Sequence, residues 1–208
     1  MGPETTIEVR ESDRARRVSL RALPDGRIEV VVPRGTHRRH VERAIAEASP
    51  WIAGVRRRRA RTPSLGLARP GVIWEHGLAV PLTAASARAV EQRYRAFTRT
   101  FLDLTVPEIA SRMGVAPARW AVRAATGRWG SCTHTTQSLS FNWRLSLIPL
   151  PVACHVVVHE LAHLRHPNHG ARFWALVGQH DPGTATHRAW LRTHGAEVMA
   201  YDPAVAIL

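Results

Sequence analysis

Residues 152–164 form an almost unbroken apolar run, and four ionisable side chains, His155, His159, Glu160 and His163, are set into it. A run of that length and apolarity reads as a buried helix. Ionisable groups inside a buried helix need partners, because desolvating them alone is costly. Few arrangements satisfy all of them. On a helix of 3.6 residues per turn His159 and His163 project from one face, about 6 Å apart along the axis, so both can reach one ion. Glu160 lies one step round, beside the ion rather than on it. There it can take a proton from a metal-bound water, the role this pattern gives its glutamate in metalloproteases. Read instead as ordinary histidines, these residues leave the polar groups in so apolar a run unexplained.

A straight helix cannot supply a third ligand at a usable angle, so the chain must turn. Pro167 opposes helical continuation and pushes His166 toward an extended conformation. Asn168 can then reverse the chain and present His169. His166, three residues after His163, competes for the third position, and Pro167 favours His169. Three histidines with one open position is the arrangement of catalytic zinc, whereas structural zinc is closed by four protein ligands. One Zn2+ ion is expected.

The rest of the 208-residue chain supports a folded, mixed α and β protein, with 45% hydrophobic and 22% charged residues. Residues 16–23 and 27–33 alternate about Pro24-Asp25-Gly26 as a hairpin. Residues 36–59 read as an amphipathic helix that Pro50 divides, and residues 62–70 as a linker. Residues 72–82 supply two short strands about Glu75-His76-Gly77. Residues 86–113 form a long helix that Pro107 kinks or divides. Strands follow at 119–125 and 139–145, separated by a loop over 126–132. The expected organisation is a β-hairpin and helix region over 1–70 and a zincin-like metallopeptidase core over 71–208, with one continuous domain as the alternative.

No stretch approaches the roughly 20 apolar residues of a membrane span, and the first ten residues do not resemble a signal. A cytoplasmic protein with no membrane partner is expected, its two cysteines, Cys132 and Cys154, held as free thiols. The formal charge is +13, and every basic residue is Arg, densest at Arg56-Arg57-Arg58-Arg59 and Arg61. That field permits weak nucleic-acid association through an Arg-rich surface, although a solvated face explains it as well.

The runs Arg128-Trp129-Gly130-Ser131-Cys132, Leu139-Ser140-Phe141-Asn142-Trp143-Arg144-Leu145, Val156-Val157-Val158-His159-Glu160-Leu161-Ala162-His163-Leu164 and Asn168-His169-Gly170 with Arg172-Phe173-Trp174 carry a resemblance. Together they resemble the YgjP-like metallopeptidases, a family related to SprT-like and Wss1-like proteases. The likeness reaches the N-terminal hairpin and Trp190-Leu191 with His194-Gly195. It implies an α+β, zincin-like catalytic domain with a helix-borne HExxH, preceded by a β-rich N-terminal region. It also implies zinc on His159, His163 and His169, with Glu160 as base. The His163 to His169 spacing matches the metzincins too, but His166 stands where they place glycine, and Met199 makes only a weak Met-turn.

The expected activity is hydrolysis of peptide bonds in protein or peptide substrates by Glu-assisted attack of zinc-bound water. The alternatives are a basic nucleic-acid-associated protein with structural or vestigial zinc, or a protease acting on DNA-bound proteins, the latter on analogy alone. Arg172, His187 and Tyr201 are guesses for the oxyanion stabiliser, and no substrate-binding residue is assigned. The strand 138–144 could pair with an extended peptide or be plain sheet. His155 could orient His159, while His134, His180, His187 and His194 show no ligand spacing. Trp129, Trp174 and Trp190 read as core, and the thiol of Cys132 as structural rather than as nucleophile or fourth ligand.

Overall fold

The structure, a computed structural model, describes residues 6–23, 27–61, 64–83 and 86–207, with main chain only at 58–61. The expected turn at Pro24-Asp25-Gly26 and the side chains of Arg58, Arg59 and Arg61 lie outside the described residues. The chain divides into two compact units, Met1–Leu65 and Gly66–Leu208.

In the first unit, β1 (Ile7–Ser12), β2 (Ser19–Ala22) and β3 (Ile28–Pro33) form a sheet of order β1-β3-β2. Strand β3 alternates as a half-buried strand should, with Ile28, Val30 and Val32 inward. Val41 on α1 (Arg38–Glu47) packs with Val30 and Val32. β2 pairs antiparallel to β3 as the hairpin requires, and β1, where no element was expected, pairs parallel to β3. Two of its charged residues pair across the sheet: Glu8 with Arg27, and Arg10 with Glu29, which also holds Arg21. The helical segment does divide, at Ala48, and α2 (Ser49–Arg61) carries Pro50 in its first turn, where a missing N–H costs nothing.

The second unit opens with the hairpin of β4 (Val72–Glu75) and β5 (Leu78–Pro81), whose tight turn places His76 and Gly77 in the left-handed region. Helix α3 (Ala87–Met113) starts at Ser86, whose hydroxyl accepts from Ala89 N–H at 3.2 Å, and stops at left-handed Gly114. It runs unbroken through Pro107. Val106, Ile109 and Ala110 beside the proline are buried, and α3 packs on α4 (Leu150–Ala162), so tertiary packing holds the turn that proline weakens.

A second three-stranded sheet has the order β6-β8-β7, from β6 (Arg119–Arg123), β7 (Gly130–Thr133) and β8 (Ser138–Asn142). Two expectations fail here. Gly130, Ser131 and Cys132 are strand rather than loop, and the strand expected to run to 145 ends at Asn142. The Asn142 side chain accepts from Arg144 N–H and donates to the carbonyls of Ala125 and Arg128, turning Trp143–Leu147 into a 3-10 helix. Because β8 is paired on both sides, it cannot be the rim along which a peptide adds. Helices α5 (Ala171–His180) and α6 (Thr184–Ala200) pack on α4, and Trp143 stacks on Tyr94 in the core. The fold is α+β, with the HExxH on a buried helix. No described helix is long and apolar enough to cross a membrane.

Candidate metal centre and its cleft

Helix α4 ends where Pro167 requires. Its last turn tightens, with Leu164 N–H on Leu161 O and Arg165 N–H on Ala162 O, and the chain then leaves the helix. A short turn, closed by Gly170 N–H on Asn168 O at 2.8 Å, carries His169 back over α4. One nitrogen from each of His159, His163 and His169 then lies within 4.8 Å of the other two. The Nε2 atoms of His159 and His169 are 3.0 Å apart. His163 turns its Nδ1 to the carbonyl of His166 at 3.1 Å, where it can only donate, and this leaves its Nε2 lone pair for an ion. His166 thus contributes a carbonyl to the centre and not an imidazole.

Nitrogens around tetrahedral zinc stand about 3.3 Å apart. Two imidazole nitrogens aimed at each other with no acid between them suit a shared cation, so the residues fit such an ion. Burial, then the neighbouring His163 and His169, push the His159 pKa down to about 3, which keeps it in the neutral form a metal needs. Beneath the three rings lies Phe173, fully buried, with centroids 4.6 to 4.9 Å from each.

Glu160 is buried and faces β7. Gly130 makes room for it, since a Cβ there would lie 2.6 Å from Glu160 Cγ. Burial pushes the carboxyl pKa up to about 8, with the charge of Arg128 pulling the other way. Cys132, on the same strand, is driven up to about 11 by burial and then by Glu160, so it stays a thiol and is no nucleophile. It is absent from both ligand groupings found among the described residues.

The second grouping joins histidines that sequence spacing left unconnected. Asp181 accepts from His155 Nδ1 at 2.5 Å, from His187 Nδ1 at 3.0 Å and from the Thr184 hydroxyl at 3.1 Å. Burial alone would raise the Asp181 pKa, but the His187 and His155 hydrogen bonds hold it below the ordinary carboxylate value. His155, one turn before His159, is therefore clamped to the start of α6 and is not directly bonded to His159. His187 is engaged in that clamp, and Tyr201 is buried with its hydroxyl on Tyr94, so neither serves as the guessed oxyanion donor.

A cleft of about 330 Å³ opens on His159 and Glu160, walled by Trp129, Trp174, Leu191, Arg128, Arg188 and Arg192 among others. Trp129 and Trp174 are thus cleft walls rather than core. Arg188 and Arg192 were missed by sequence reading, although their i, i+4 spacing, with Leu191 between, puts them on one face of α6.

The model of the YgjP-like metallopeptidase domain matches residues 66–194, well over half of the chain. The chain belongs to the YgjP-like family. A peptidase of this family would act on protein or peptide substrates, and such a domain implies a metal, typically zinc. One solved structure similar to it is the crystal structure of the metallopeptidase zymogen abylysin from Pyrococcus abyssi. The identity is 15% and the TM-score 0.40, over 44% of this chain and 93% of that one. No curated protein matches the chain.

Proposed function

We propose that this YgjP-like protein hydrolyses peptide bonds with one zinc ion held by His159, His163 and His169 and with Glu160 as the general base. The observation that carries this reading is the approach of His159 Nε2 and His169 Nε2 to 3.0 Å beside His163, next to a buried carboxyl at the mouth of a cleft. An ion held there would acidify water and polarise a carbonyl oxygen. The chain supplies the rest. A carboxyl with a pKa of about 8 is mostly protonated at neutral pH, and nearby positive charge favours the carboxylate. Glu160 then takes a proton at a carboxylate oxygen and returns it to the departing amine. Gly130 keeps the space that side chain occupies.

The substrate is proposed to run along β7, an edge strand of the β6-β8-β7 sheet that lies against Glu160. Main-chain hydrogen bonds to a strand edge hold a peptide without regard to its sequence. Glu160→Gln is expected to keep its zinc, measured by metal analysis, while losing cleavage of unfolded protein substrates. Wild-type cleavage by that variant would sink the mechanism.

A further inference from the structure

The Arg side chains of this molecule are not all alike. Arg10, Arg21, Arg27, Arg38, Arg93, Arg95 and Arg99 each lie against a carboxylate. Arg128, Arg188 and Arg192 have no carboxylate within ion-pair distance among the described residues, and all three line the cleft that opens on His159 and Glu160. Among the described residues Glu160 is the one acidic group in that wall.

Arg188 is also held in place. Its Cζ lies 4.0 Å over the Trp174 ring, and that ring lies 5.8 Å from His159 and 5.7 Å from His169. The residue before it, His187, is tied through Asp181 to His155 on α4, which anchors the first turn of α6. Further along, Gly195 abuts Trp129, so this face of α6 forms one side of the cleft. A guanidinium stacked on an indole and fixed at its helix loses less rotamer freedom when it binds than a free surface arginine does. Its planar fork matches a carboxylate in two parallel hydrogen bonds. It stands within about 10 Å of the His159 ring, the span of roughly three residues of extended chain.

We propose that the cleft selects a substrate carboxylate, with Arg188 as its primary partner and Arg128 and Arg192 completing a cationic subsite. The carboxylate is an Asp or Glu side chain within about three residues of the scissile bond, or the C-terminal carboxylate of a short peptide. This specificity rests on the peptidase reading above and deepens it. A nucleic-acid backbone is disfavoured as the occupant, because the three cations converge on a concave site beside the proposed metal centre instead of tracking along a surface.

The test separates the two readings by measuring binding without turnover. Glu160→Gln, loaded with zinc, is titrated by fluorescence anisotropy with an end-blocked decapeptide carrying one Glu, with its Gln counterpart, and with the Gln peptide bearing a free C-terminus. The Glu peptide or the free-acid peptide, or both, should bind at least tenfold more tightly than the blocked Gln peptide, and which one does so names the source of the carboxylate. In the Glu160→Gln, Arg188→Glu double variant that ratio should fall to one or below, and a Lys peptide should become the preferred ligand. Arg188→Lys should retain part of the selectivity. Equal affinity for all three peptides overturns the proposal whether or not the wild type cleaves anything. So does a selectivity that survives Arg188→Glu, or displacement of the peptides by a short DNA oligonucleotide with higher affinity. Cleavage sites mapped in an unfolded protein should be enriched in Asp and Glu, and a wild type that binds acidic peptides without cutting them would fail the peptidase reading alone.

Discussion

Two groups of histidines share helix α4 and are wired in opposite ways. His159, His163 and His169 meet with no acid among them, nitrogen facing nitrogen at 3.0 Å. One turn earlier His155 meets His187 through Asp181, whose carboxylate already accepts three hydrogen bonds. Both groups offer three donor atoms close together, so ligand type alone does not separate them. What separates them is whether the lone pairs already have partners. A carboxylate that takes an N–H from each imidazole has completed a buried network, and inserting an ion would break it. Three imidazoles with nothing between them are an incomplete network, which a cation completes.

Metal analysis should therefore find one zinc per chain. His163→Ala should lower zinc affinity by more than the roughly 100-fold that losing an outer hydrogen-bond partner costs, and cleavage should vanish with the metal. Asp181→Asn tests the other group. It should lower unfolding free energy by about 3 kcal/mol in a denaturant titration, because an amide leaves a buried imidazole N–H without its acceptor, and zinc should stay at one per chain. A wild type that binds two ions, with Asp181→Asn binding one, would erase the distinction.

Glu160 follows His159 on the same helix, and the residue it faces on β7 is a glycine. Gly130→Ala places a methyl 2.6 Å from Glu160 Cγ and should displace the carboxyl, lowering kcat about 10- to 100-fold with zinc content unchanged. The smallest expected effect is on pH dependence. Burial holds His155 below its ordinary pKa of 6.5, so the unfolded chain takes up that proton first and stability falls as pH drops below 6.5. Asp181, held below 3.8, contributes stability that is present above that value and lost beneath it. The melting temperature should thus decline on acidification, and the limb below pH 3.8 should be shallower in Asp181→Asn.

Much of the proposed centre was legible in the sequence because its signals are local. His159 and His163 stand four apart in an apolar run, and Pro167 announces the turn that brings in His169. The clamp was illegible for the opposite reason: Asp181 is 26 residues from His155, and no periodicity links them. Strand β7 escaped notice because Gly130-Ser131-Cys132 has neither β-branched residues nor alternation, and its pairing comes from β8. Strand β1 escaped because parallel pairing has no turn signature. The hairpins at β2–β3 and β4–β5, with short connections, were read correctly. So was the dividing effect of Pro50, whereas Pro107 shows packing overruling a local breaker.

The turn after α4 has a consequence for how an ion would come and go. Two of the proposed ligands belong to a buried helix, while the third, exposed His169, sits on the four-residue link formed by Pro167, Asn168, His169 and Gly170. Exchange would need only that link to swing, with α4 left intact and Phe173 still sealing the underside. His169 would then act as a latch, so the lifetime of the bound ion would be governed by a local opening rather than by unfolding of the domain.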